Sequence, residues 1–120
     1  MKHKIGDIQR IQHIIDSIST IEIIVNDVDE HTFINNIEKK FSVERLLEII
    51  GEATNHISDE ILYDKENSTS WNQIISLRNF LSHEYFRVDY KIIYKIATNN
   101  LIPLKKEILR IKNKLENRNV

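Results

Sequence analysis

Apolar residues along this chain recur every three or four positions, the spacing of one helix face, and nowhere alternate as a strand would. Ile5, Ile8, Ile11, Ile15, Ile18 and Ile21 form one stripe that predicts a long first helix ending near Asn26. The run "VDEHTFINN" breaks that stripe, and Asp29 is placed to cap a short helix carrying Phe33 and Ile37. From about Glu38, Phe41, Leu46, Ile50, Ala53, Ile57 and Ile61 follow down a single face. Gly51 interrupts this segment, where it costs about 1 kcal/mol relative to alanine, and a close helix-helix approach accounts for it.

Polar, aperiodic residues from Asp64 to Thr69 mark a loop. Ser70 and Gln73 have capping-box spacing and start a further helix at Trp71. Asp89 can cap the next helix, with Ile92, Ile93 and Ile96 inward. "TNNLIP" interrupts it, and Pro103 suits the first turn of a last helix running to about Glu116. The predicted architecture is all-α, an up-and-down bundle of four main helices plus short extra ones.

Composition narrows the function classes. At 120 residues the chain reads as one domain, 1–120, able to bury about two thirds of its unfolded surface. There is no cysteine, so disulfides, thiolate metal sites and cysteine nucleophiles are excluded, which fits a reducing cytoplasm. No apolar run approaches the roughly 20 residues of a membrane helix, and the N-terminus reads as unprocessed. A net charge of -1 leaves nucleic-acid binding to a local patch.

The chemically capable residues concentrate in "RNFLSHEYF". Arg78, His83 and Tyr85 spell R-x-x-x-x-H-x-Y. In an ideal helix the step from Arg78 to His83 rotates about 140°, so they share a face only if the helix ends between them or a second copy completes the site. Two readings stand for the triple alone: cations at a helix C-terminus beside a half-buried aromatic, or a catalytic set. His3, His13, His31 and His56 show no paired ligand spacing; they read as solvated, and neither metal nor cofactor is expected. Glu52 reads as a helix-surface carboxylate. Lys106, Arg110 and Lys114, with Lys105 and Lys112 nearby, form a basic stripe that is either a solvated face or a guide for a partner. Arg87, Lys91 and Lys95 lie nearer the motif and are the stronger candidates for contacts to a phosphate backbone.

In order, "SVERLLEIIGEA", "WNQIISLRNFLSHEYF", the aspartate of "RVDYKII" and "NNLIPLKKEI" resemble the HepT-like toxins of the HEPN superfamily, over roughly Ser42 to Ile108. The resemblance implies a HEPN-like helical homodimer whose motifs meet in a cleft, forming a metal-independent ribonuclease with Arg78 and His83 catalytic. It implies a toxin whose antitoxin partner is a minimal nucleotidyltransferase that silences it by adding AMP to a motif tyrosine. Where some family members carry another tyrosine, this chain has Phe80, so Tyr85 is the expected acceptor. Asn79 is positioned to orient His83 or a phosphate, and Glu84 would raise the His83 pKa if close. The residue chemistry is compatible: a histidine serves as base or acid near neutral pH, and arginine offers a planar fork to phosphate oxygens. The rival expectation is a non-catalytic helical partner that presents substrate to a nucleotidyltransferase. Which RNA is cut, and on what trigger, is not readable from the sequence.

Overall fold

The computed structural model describes residues 2–62 and 88–118. Every regular element among the described residues is helical. The order is α1 (Lys2–Val25), α2 (Glu30–Ile34), α3 (Ile37–Asn55), α4 (Asp59–Leu62), α5 (Tyr90–Lys95), a π-helical turn (Ile96–Asn100) and α6 (Leu101–Arg118).

The isoleucine stripe makes α1 the centre of the fold. Ile11, Ile14, Ile15, Ile18, Ile21 and Val25 are buried, each such side chain stabilising the fold by about 1.5–3 kcal/mol relative to exposure. The helix packs against both α3 and α6. Two cross-links fix the directions. Asp7, near the start of α1, bonds Ser58, just past the end of α3. Lys105, near the start of α6, meets Glu22, near the end of α1, at 2.7 Å. Both α3 and α6 therefore run antiparallel to α1, as in an up-and-down bundle.

Local caps set the boundaries. After α1 the chain turns through Asp27 at φ 58°, a left-handed conformation that aspartate tolerates better than most residues. Asp29 caps α2 by accepting the Thr32 N–H at 2.8 Å, which holds its carboxyl below the usual range. Asn36 caps α3 in the same way through the Lys39 N–H, at 2.9 Å. Asp89 caps α5 through the Lys91 N–H. The caps expected at Asp29 and Asp89 are both present.

Other expectations need correction. Ile37 does not belong to the short helix; it opens α3 and is 65% exposed. The buried face of α3 is Val43, Leu47, Ile50, Gly51 and Thr54, not the row through Phe41, Leu46 and Ala53. Leu46 and Ala53 flank that face, half-buried, and Phe41 is 52% exposed beside Tyr90. Nor does this helix run on to Ile61: it stops at Asn55, where the His56 N–H donates to the Ala53 carbonyl and the Ile57 N–H to the Thr54 carbonyl. Ile57 and Ile61 are buried beyond that corner. On α5, Ile93 is fully buried but Ile92 is 45% exposed. Tyr94 turns inward instead, its ring 5.5 Å from that of Phe33 and its hydroxyl donating to the Val28 carbonyl. Finally, the interruption expected at "TNNLIP" is present, but as a widened turn and not a break. The chain passes through a π-helical turn in which the Leu101 N–H reaches back five residues to Ile96, and Pro103 follows in the first turn of α6. Proline has no N–H for the Asn99 carbonyl, so widening the helix immediately upstream is the physical accommodation.

Candidate functional site

The stretch that carries the motif is bounded by elements fixed on the core. Ile61 is buried at one end, and Val88 packs against the core at the other. Arg78, Asn79, His83, Tyr85 and Arg87 themselves lie outside the described residues, as do Phe80, Glu84, Trp71, the Asp64–Thr69 loop and the Ser70–Gln73 capping box. The two remaining candidates, Lys91 and Lys95, are on α5 and exposed.

Lys91 and Lys95 line one groove of about 370 Å³ with Glu30, Ile92, Tyr94, Thr98 and Asn99. Residues four apart share a helix face, which sets the two lysines one above the other. The π-helical turn extends that face. Each of its residues rotates by less than the 100° of an α-helix, so Asn99 stays in line with Lys95 and does not swing past it. Thr98 donates its hydroxyl to the Tyr94 carbonyl at 2.8 Å, which fixes the floor of the groove. Neither lysine forms an ion pair with a described residue.

Where α5 begins, a second cluster tied to α3 stands out. The Tyr90 hydroxyl donates to Glu44 Oε1 at 2.8 Å, and Lys40 lies 4.8 Å from the Tyr90 ring centre and 5.4 Å from that of Phe41. Burial and the hydrogen bond to Glu44 push the Tyr90 phenol up to about 12. This arrangement holds the start of α5, and with it the return from the motif, against α3.

The basic stripe of α6 is largely engaged within the fold. Lys105 pairs with Glu22, Arg110 with Glu107 and Lys112 with Glu116, so its field outward is reduced. Glu52, His13, His31 and His56 are exposed. Among the described residues no group of three histidine, aspartate or glutamate side chains could hold a metal ion, and no helix is long and apolar enough to cross a membrane.

Sequence reasoning missed Thr98, Asn99 and the Lys40–Tyr90–Glu44 cluster, because tertiary packing and the π-helical turn create them. It also missed the buried Asp7. A signal for Asp7 was present: an acidic residue four positions before Ile11 falls on the core stripe, where only a bonded carboxylate is tolerated.

A family model described as ribonuclease HepT-like matches residues 14–111. A Methanocaldococcus jannaschii protein named "Putative RNase" is 36% identical over 95 residues, covering 79% of this chain and 86% of the relative. A second protein of that name and organism is 36% identical over 104 residues, covering 84% and 89%. A Thermococcus cleftensis protein named "Probable ribonuclease HepT" is 28% identical over 95 residues, covering 79% and 86%. No solved structure gave a significant match. With the family model spanning most of its length, this chain belongs to the ribonuclease HepT-like family.

Proposed function

We propose that this protein is the toxin of a toxin-antitoxin pair, a metal-independent endoribonuclease acting through Arg78 and His83 at a cleft between two copies of one 120-residue domain. The observation that carries the reading is the R-x-x-x-x-H-x-Y run, which lies wholly inside the 14–111 span matched by the ribonuclease family. The names of the relatives support the substrate class.

The chemistry follows from the residue types. Attack by an RNA 2'-hydroxyl on its own phosphate needs a base for that hydroxyl, an acid for the leaving 5'-oxygen and positive charge on the phosphorane. Histidine supplies proton transfer near neutral pH, and arginine supplies the charge in a fork that fits phosphate oxygens. One imidazole cannot take both proton roles in a single step. A two-fold dimer provides two copies of His83 and of Arg78, with Asn79 and Tyr85 as supporting groups. Silencing would come from a nucleotidyltransferase antitoxin that adds AMP to Tyr85, both proteins being cytoplasmic.

The test is cleavage of RNA in the presence of chelator. Wild-type protein should leave 2',3'-cyclic phosphate ends or their hydrolysis product. His83→Ala and Arg78→Ala should each lose about two orders of magnitude or more in rate, the scale of losing an acid-base or charge-stabilising group. Full activity in His83→Ala would overturn the assignment.

A further inference from the structure

We infer that the groove between α2 and the α5–α6 junction is a subsite for single-stranded RNA, with Lys91 and Lys95 taking two backbone phosphates and Ile92 and Asn99 meeting a base. The inference rests on the ribonuclease reading for its choice of polymer. The site itself is built from described geometry.

Four observations combine. Lys91 and Lys95 sit on one helix face, exposed, with no ion pair to a described residue, while the α6 lysines Lys105 and Lys112 are paired. Cations without a counter-charge among the described residues, in a chain of net charge -1, make a local positive site where the bulk field is absent. Ile92, 45% exposed on the same wall, offers an apolar surface of the kind a base covers. The π-helical turn brings the Asn99 carboxamide, a donor and an acceptor together, into the groove beside them. Such turns occur frequently at functional sites. Glu30 on the opposite rim is the one acidic side chain of the lining, and it favours a strand that keeps its phosphates on the α5 side. A purely apolar peptide would leave both ammonium groups unanswered, whereas an RNA strand satisfies charge and apolar surface together.

The experiment measures binding apart from cleavage. A fluorescent 2'-O-methyl oligoribonucleotide cannot undergo attack by its 2'-oxygen, so its affinity for the full chain is read by anisotropy across a salt series. Two phosphate contacts on a single strand contribute a slope of about -1.4 in log K against log salt. The double variant Lys91→Ala/Lys95→Ala should flatten the slope by about that amount and weaken binding about 25-fold at 0.1 M salt. Lys91→Arg/Lys95→Arg should retain the slope. Glu30→Gln should tighten binding about threefold, the effect of removing one like charge several ångströms away in a water-like dielectric. Lys106→Ala, on the exposed face of α6, should change neither quantity. An unchanged slope and affinity in the double alanine variant overturns the subsite, even where wild-type protein cuts RNA. So does a double variant that binds RNA normally but loses a protein partner. If instead the lysine-dependent binding is found in a protein that cuts no RNA, the subsite stands and the ribonuclease assignment falls.

Discussion

Asp7 holds Ser58 across 51 positions of sequence with both carboxylate oxygens, one accepting the backbone N–H at 2.9 Å and the other the hydroxyl at 2.7 Å. Asp7 is only 1% exposed. Ser58 in turn accepts the Ile61 N–H, so this contact ties the start of α1 to the start of α4, the element that leads into the motif stretch.

Removing that carboxylate leaves the Ser58 N–H and hydroxyl without their acceptor at a half-buried position. Asp7→Ala should therefore destabilise the fold by about 2–4 kcal/mol, and Asp7→Asn, which keeps one acceptor oxygen, by about 1 kcal/mol. Urea unfolding at neutral pH measures both. A change under about 0.5 kcal/mol in Asp7→Ala would show that the contact is not formed in solution.

Tyr90 gives a pH-dependent expectation. Its phenol is raised to about 12 by burial and by the bond to Glu44, while in the unfolded chain it titrates near 10. Below pH 10 both states hold the proton, and the stabilisation is complete. Between about pH 10 and 12 the unfolded state releases its proton first, so stability falls as pH rises. Tyr90→Phe should remove this component of the alkaline loss, and absorbance titration of phenolate should lose a step near pH 12. A variant with the same phenolate titration as wild type above pH 10 would place the raised group elsewhere.

Dimerisation is the next expectation, because each chain has one motif histidine and the proposed reaction needs two proton-transfer groups. Sedimentation at micromolar concentration should give twice the 14.3 kDa chain mass. Mixing inactive Arg78→Ala and His83→Ala chains should restore activity if a composite cleft draws its two groups from different copies. A monomeric mass in a preparation that cuts RNA would rule out the shared cleft.

How legible the protein was depended on how local each cause is. The α1 stripe and the Asp29 and Asp89 caps follow from spacing within a few residues, and the fold contains them. The buried face of α3 was misread because two apolar rows about 80° apart compete, Val43–Leu47–Ile50 against Leu46–Ala53, and only packing on α1 selects between them. The inward turn of Tyr94 in place of Ile92 needs the Val28 carbonyl and the Phe33 ring, both contributed by earlier elements. The π-helical turn has a visible prompt in Pro103, but a proline four residues after a helical run predicts a break as readily as a bulge. The chemistry expected of Arg78 and His83 rests on residue type and spacing alone, since both lie outside the described residues. The Lys91–Lys95 pair was legible as charge, whereas Asn99 and Glu30 joined it only in three dimensions.

Control of the proposed ribonuclease is expected to act through Tyr85. Four tyrosines could in principle accept AMP, namely Tyr63, Tyr85, Tyr90 and Tyr94. Two of them are already engaged: Tyr90 donates to Glu44, and Tyr94 to the Val28 carbonyl at 2.6 Å beneath the Phe33 ring. Modifying either would break a bond that holds α5 in place, so transfer there should cost stability. Transfer to Tyr85 would add a phosphodiester anion and an adenosine beside the proposed catalytic pair. Like-charge repulsion and steric exclusion then both oppose an RNA phosphate. Incubation with the cognate nucleotidyltransferase and ATP should add mass in AMP-sized steps, abolish cleavage and leave the thermal midpoint within a few degrees of the unmodified protein. Tyr85→Phe should remain folded and accept no adduct. An adduct mapped by mass spectrometry to Tyr63, Tyr90 or Tyr94, or modified protein that cuts RNA at the original rate, would overturn this mode of control.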